Sequence, residues 1–70
     1  MNSKLNKVLL IGASGYLGAL LARDMLESGW EVDGCDTRKP IEGLNFRNFF
    51  QMDFSDMHSD LLDDYAAVLW

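Results

Sequence analysis

The stretch Lys7-Val8-Leu9-Leu10-Ile11-Gly12-Ala13-Ser14-Gly15-Tyr16-Leu17-Gly18 decides how this chain folds. Val8 to Ile11 is a short unbroken apolar run, β-branched at both ends and stopped by a glycine. That combination predicts a strand buried on both faces. Beyond the turn, a helix is predicted from about Gly15 to Ser28. At 100° per residue Leu17, Gly18, Leu21, Ala22, Met25 and Leu26 share one broad arc, and Arg23, Asp24 and Glu27 share the opposite one. This is an amphipathic helix with an apolar stripe for a sheet. Gly29 stands where a left-handed C-terminal cap is expected.

Working outward, Trp30 to Asp36 predicts a second strand, with Val32 and Cys35 as its core residues. Thr37 to Asn45, broken by Pro40 and Gly43, predicts a loop rather than a crossover helix. Phe46 to Met52 predicts a third strand and Asp53 to Asp56 a turn, with Ser55 or Asp56 capping a short helix through Leu62. Tyr65 to Trp70 predicts a fourth apolar strand. The expected fold class is α/β: a partial Rossmann fold, a doubly wound parallel sheet in strand order 3-2-1-4 and three layers. Right-handed crossovers put the first helix on one face and the short 58–63 helix on the other. Because the sequence stops inside an apolar strand, residues 1–70 are expected to be the N-terminal part of a longer dinucleotide-binding domain, truncated in its fourth strand.

Composition narrows the function. Eleven acids against six bases give a net charge of −5. Such a surface repels a phosphodiester backbone and an anionic membrane, so neither nucleic acid nor membrane is an expected partner. Cys35 is the one cysteine; it can form no internal disulfide and no multi-cysteine metal site, and it reads as a reduced core residue. The longest apolar run is too short for a membrane span, and Met1 to Lys7 lead into too short an apolar region for a cleavable signal. A cytoplasmic location is expected.

Gly12, Gly15 and Gly18 form a GxxGxxG pattern between strand and helix, the context in which it carries meaning. Gly12 lets the chain turn out of the strand, Gly15 lets backbone approach a pyrophosphate, and Gly18 lets the helix lie close to the strands. The helix N-terminus directs unbonded N–H groups at the anion; Tyr16 and Leu17 are expected to donate theirs, and Ser14 to add a hydroxyl. Asp36, about 20 residues on at the end of the second strand, is placed to accept bonds from both ribose hydroxyls of the adenosine half. It repels a 2′-phosphate by up to roughly 4 kcal/mol at 4 Å and an effective dielectric of 20. Arg38 works against that preference, because its guanidinium is within reach of a phosphate. NAD is expected over NADP.

These residues resemble the N-terminal part of the extended short-chain dehydrogenase/reductase family, the NAD-dependent epimerases and dehydratases of nucleotide sugars. The resemblance covers nearly all 70 residues. It rests on Lys7 to Gly18, on Cys35-Asp36-Thr37-Arg38 and on Met52-Asp53-Phe54-Ser55-Asp56. It implies that Asp53 contacts the adenine amino group and that Phe54 lines the adenine pocket. The chain departs from the family at Met52, where glycine is common, and at Ile11, where threonine is common. The expected cofactor-binding set is thus Gly12, Ser14, Gly15, Tyr16, Leu17, Gly18, Asp36, Thr37, Arg38, Asp53 and Phe54. The family's catalytic Tyr-x-x-x-Lys is absent: Leu20 follows Tyr16 and Leu69 follows Tyr65 at that spacing. No catalytic residue is therefore expected here. The resemblance implies binding of the ADP-ribose half of NAD as part of an epimerase, dehydratase or reductase. Its expected partners are the dinucleotide, the remainder of the fold and, in the full-length protein, a second copy. The alternatives are a non-catalytic dinucleotide-binding sensor or an inactive truncated fragment. His58, flanked by Asp56 and Asp60, reads as a solvated helix start and not as a metal ligand.

Overall fold

In a computed structural model of the chain, the described residues are 6–69. Trp70, expected in the fourth strand, and the N-terminal Met1 to Leu5 lie outside them. The elements run β1 (Lys7–Ile11), α1 (Tyr16–Glu27), β2 (Glu31–Asp36), β3 (Asn48–Gln51), a single 3₁₀ turn (Phe54–Asp56), α2 (Ser59–Leu62) and β4 (Ala67–Leu69). The four strands form one sheet in the order β3-β2-β1-β4, parallel throughout. Val8 pairs with Val32 and Ala67, and Cys35 with Ile11 and Phe50.

The period of two along the strands splits the apolar residues between the two faces of the sheet. Val8, Leu10 and Val32 form one buried cluster with Ala13 and Ala22, onto which Met25 and Leu26 of α1 pack. Leu9, Cys35 and Tyr65 form the other, against which Ile11, Phe50, Phe54, Met57 and Leu62 lie. A strand buried on both faces can have no polar side, and β1 has none from Val8 to Leu10.

The boundaries carry physical reasons. Gly29, at φ +91°, ends α1: its N–H donates to the Leu26 carbonyl at 3.2 Å, and that of Trp30 to Met25 at 3.0 Å, the paired bonds of a left-handed glycine cap. β3 is shorter than the sequence suggests. The Arg47 N–H already donates to Val32 at 2.8 Å, but the Met52 N–H turns back to Phe50 at 3.0 Å and closes the strand. The cap expected at Ser55 or Asp56 is instead His58, whose Nδ1 accepts the Asp60 N–H at 3.3 Å. Ser55 and Asp56 lie inside the preceding 3₁₀ turn, which Asp53 caps by accepting the Ser55 N–H at 2.9 Å.

The apolar arc of α1 needs a larger correction. Ala22, Met25 and Leu26 meet the sheet, but Leu17 is 76% exposed, Tyr16 is 80% exposed, and Leu20 and Leu21 are exposed beside them. The C-terminal turns of the helix pack on the cluster of β1 and β2 residues, while the side chains of its first turn stay largely exposed.

β2 carries a buried charge that periodicity does not flag. Asp33, 1% exposed, accepts two bonds from Arg47 (Nε 3.0 Å, Nη2 2.7 Å), one from the Asn48 N–H at 3.1 Å and one from the Tyr65 hydroxyl at 2.6 Å. A desolvated carboxylate is tolerated only with such partners. Here they tie β2 to the start of β3 and the approach to β4. Burial, then the hydrogen bond to Asp33, raises the Tyr65 phenol well above its ordinary value, so it stays a donor. Among the described residues no helix is long and apolar enough to cross a membrane.

Candidate functional site

The turn after β1 is built by backbone. The Gly12 and Ala13 N–H groups both donate to the Cys35 carbonyl, at 2.8 and 3.3 Å, which anchors the turn to the end of β2. Gly12 adopts φ +77°, a left-handed conformation that costs a side chain-bearing residue roughly 1–2 kcal/mol. The Gly15 N–H closes the turn onto the Gly12 carbonyl at 3.0 Å.

Gly18 is a matter of space. A Cβ there collides with the Gly12 carbonyl oxygen and comes within 3.0 Å of the Gly12 carbonyl carbon and 3.2 Å of Ala13 Cα. The closest approach is therefore to the backbone of the turn that follows β1. Gly15 serves as the N-cap residue of α1 without a side-chain bond, and no acid stands in the first turn. The N–H groups of Tyr16, Leu17 and Gly18 have no carbonyl behind them in the helix. They make a turn of donors with a partial positive charge, framed by exposed side chains.

Two depressions meet at this turn. One, about 220 Å³, is lined by Ile11, Gly12, Cys35, Asp36, Thr37, Met52, Asp53 and Phe54. The other, about 500 Å³, is lined by Leu10, Ile11, Gly12, Gly15, Tyr16, Leu17, Gly18 and Leu21. They share Ile11 and Gly12, so together they run across the C-terminal end of β1. This is where the strand order reverses, with β2 on one side and β4 on the other. Open parallel sheets hold ligands at such switch points. Of the residues singled out from sequence, the smaller depression gathers Gly12, Asp36, Thr37, Asp53 and Phe54, and the larger gathers Gly12, Gly15, Tyr16, Leu17 and Gly18. Ser14 and Arg38 line neither.

Ser14 is turned inward. Its N–H donates to Asp36 Oδ2 at 3.0 Å and its hydroxyl to the Lys39 carbonyl at 2.5 Å. The hydroxyl expected to face the anion instead pins the loop after β2 through the Lys39 carbonyl. Local spacing gives no sign of that contact. Asp53 commits Oδ1 to its cap, accepting the Ser55 N–H and, at 2.8 Å, the Ser55 hydroxyl; these bonds hold its carboxyl below the usual range. Phe54 lines the smaller depression and packs against Leu9, Cys35 and Tyr65 as well, so it is both wall and core. The Cys35 thiol lies beneath, donating to the Met52 carbonyl at 3.4 Å. Burial, with Asp36 and Asp53 nearby, pushes it up and away from the reactive thiolate.

Asp36 is the most constrained of these groups. Its Oδ1 accepts from the Arg38 N–H at 2.9 Å and Nε at 3.1 Å; its Oδ2 accepts from the Ser14 N–H and from Arg38 Nη2 at 3.2 Å. The Arg38 guanidinium is the main reason its carboxyl titrates at about 2; burial opposes the shift, and the two backbone N–H groups add to it. A carboxyl whose folded pKa lies below the unfolded value, here 3.8, stabilises the fold fully above that value. The contribution is lost as pH falls from about 4 toward 2. Urea unfolding across that window should show wild-type stability falling and that of Asp36→Asn staying flatter; parallel profiles would remove Asp36 from the acid response.

Among the described residues no three His, Cys, Asp or Glu side chains are placed to hold a metal ion. Searches of family models, curated proteins and solved structures match nothing to this chain.

Proposed function

We propose that this chain binds the ADP half of a nicotinamide dinucleotide, NAD in preference to NADP, on a doubly wound, three-layer fold of Rossmann type. The observation that carries the reading is the pair of depressions meeting at Gly12 on the switch point of the sheet. A helix start with Gly15 and Gly18 lies on one side, and Asp36, Asp53 and Phe54 lie on the other. In this reading the first-turn N–H groups of α1 hold the pyrophosphate, and Gly15 keeps its approach open. Asp36 takes the adenosine ribose, and Phe54 with Asp53 receives the adenine. The resemblance to NAD-dependent epimerases and dehydratases makes a nucleotide sugar the proposed substrate class of the protein to which this site belongs. The dinucleotide supplies hydride transfer when bound; these residues supply its placement.

Calorimetric titration of folded protein with NAD should give saturable binding at one site. Gly15→Ala should weaken it about tenfold, because in this reading a Cβ there crowds the backbone's approach to the pyrophosphate. Folded protein that takes up neither NAD nor NADP refutes the reading.

A further inference from the structure

The four bonds on Asp36 differ in kind. Two come from backbone N–H groups, those of Ser14 and Arg38, and are fixed by the turn and the exit of β2. The other two come from one guanidinium, on a side chain 64% exposed. An ionised carboxylate offers about four acceptor positions, so in this state Asp36 has none left for a diol. A vicinal diol needs two. The only two that can be vacated without unwinding the site are those held by Arg38.

The guanidinium also stands over the glycine turn: Nη2 lies 3.4 Å from where a Cβ on Gly15 would be. Displaced from Asp36, it remains tethered two residues away at the same mouth, a planar cation suited to bidentate capture of a phosphate.

We infer that Arg38 is an internal competitor for the ribose position and the specificity-determining residue of the site: it must leave Asp36 before a 2′,3′-diol can bind, and once displaced it favours a ligand with a phosphate at that diol. This rests on the dinucleotide reading above. Arg38 thus weakens the binding of NAD and narrows its advantage over NADP, although Asp36 is the group that reads the ribose.

The test is calorimetry of NAD and NADP against wild type, Arg38→Ala and Arg38→Lys. The exposed position of Arg38 leaves the fold in place, which circular dichroism of each sample checks. Arg38→Ala should bind NAD about fivefold more tightly, the scale of an exposed ion pair removed, and NADP about tenfold more weakly. Arg38→Lys keeps the charge but not the bidentate fork, so its NADP affinity should fall between those of wild type and Arg38→Ala. If Arg38→Ala binds NAD no more tightly than wild type, the competition does not exist. If Arg38→Ala binds NADP as tightly as wild type, the displaced cation does not read phosphate. In both cases NAD binding by wild type would leave the dinucleotide reading standing. Absence of all binding, in wild type and variants alike, would overturn both.

Discussion

Replacing Asp33 by alanine should cost about 3–5 kcal/mol of folding stability, the usual penalty for breaking a buried ion pair from one side. The substitution leaves the buried Tyr65 hydroxyl without its acceptor and the Asn48 N–H without its carboxylate, and it removes both side-chain bonds of Arg47. The guanidinium is part-exposed and can turn to water, which favours the lower end of that range. A protein of this length has roughly 4–10 kcal/mol in total, at about 0.05–0.15 kcal/mol per residue. At roughly 4–8 °C per kcal/mol, the melting temperature should fall by more than about 12 °C. Arg47→Met tests the other side of the pair, and a double-mutant cycle should return a large coupling energy. A melting point within a few degrees of wild type in Asp33→Ala would mean that the network contributes little.

The second large effect is expected at Gly18. The three atoms nearest to a Cβ there are all backbone, so no rotamer change relieves the contact and α1 must lift off the turn. Overpacking of this kind costs about 1–3 kcal/mol, occasionally more; Gly18→Ala should reach the top of that range and Gly18→Val exceed it. Gly15→Ala is the graded comparison. Its nearest neighbours stand at 3.3 and 3.4 Å, and one of them is the end of the flexible Arg38 side chain, so about 1 kcal/mol or less is expected. Urea unfolding should find Gly18→Val least stable, Gly18→Ala next and Gly15→Ala closest to wild type. A Gly18→Ala protein as stable as wild type would show that the helix start has room to move.

Much of the site was legible because its signals are local. An apolar run ended by a glycine, two further glycines at helical entry and an acid at the end of the next strand are consecutive features, each with its own steric or electrostatic cause. The strand order was legible for a related reason: parallel pairing forces crossovers, and crossovers have one hand. Three features were not legible. In Glu31-Val32-Asp33-Gly34-Cys35-Asp36 the buried acid looks like any polar strand residue, since Arg47 and Tyr65 are distant in sequence. Periodicity assigned Leu17 and Leu21 to the arc facing the sheet but could not say how much sheet lies under each turn. The allegiance of Arg38 to Asp36, and of the Ser14 hydroxyl to Lys39, are choices among nearby partners that only the folded loop decides.

The position of β1 has a consequence in time. Its two neighbours are drawn from residues 31–35 on one edge and 67–69 on the other, and no pair of strands in the sheet is a hairpin. Every pairing must close a loop before it repays the entropy of closing it, the arrangement that makes parallel sheets slow to form. During synthesis β1 therefore emerges before both of its neighbours, with one edge bare until β4 leaves the ribosome. Until then, what protects Val8 to Ile11 from pairing with another chain is the speed of translation and any chaperone at hand.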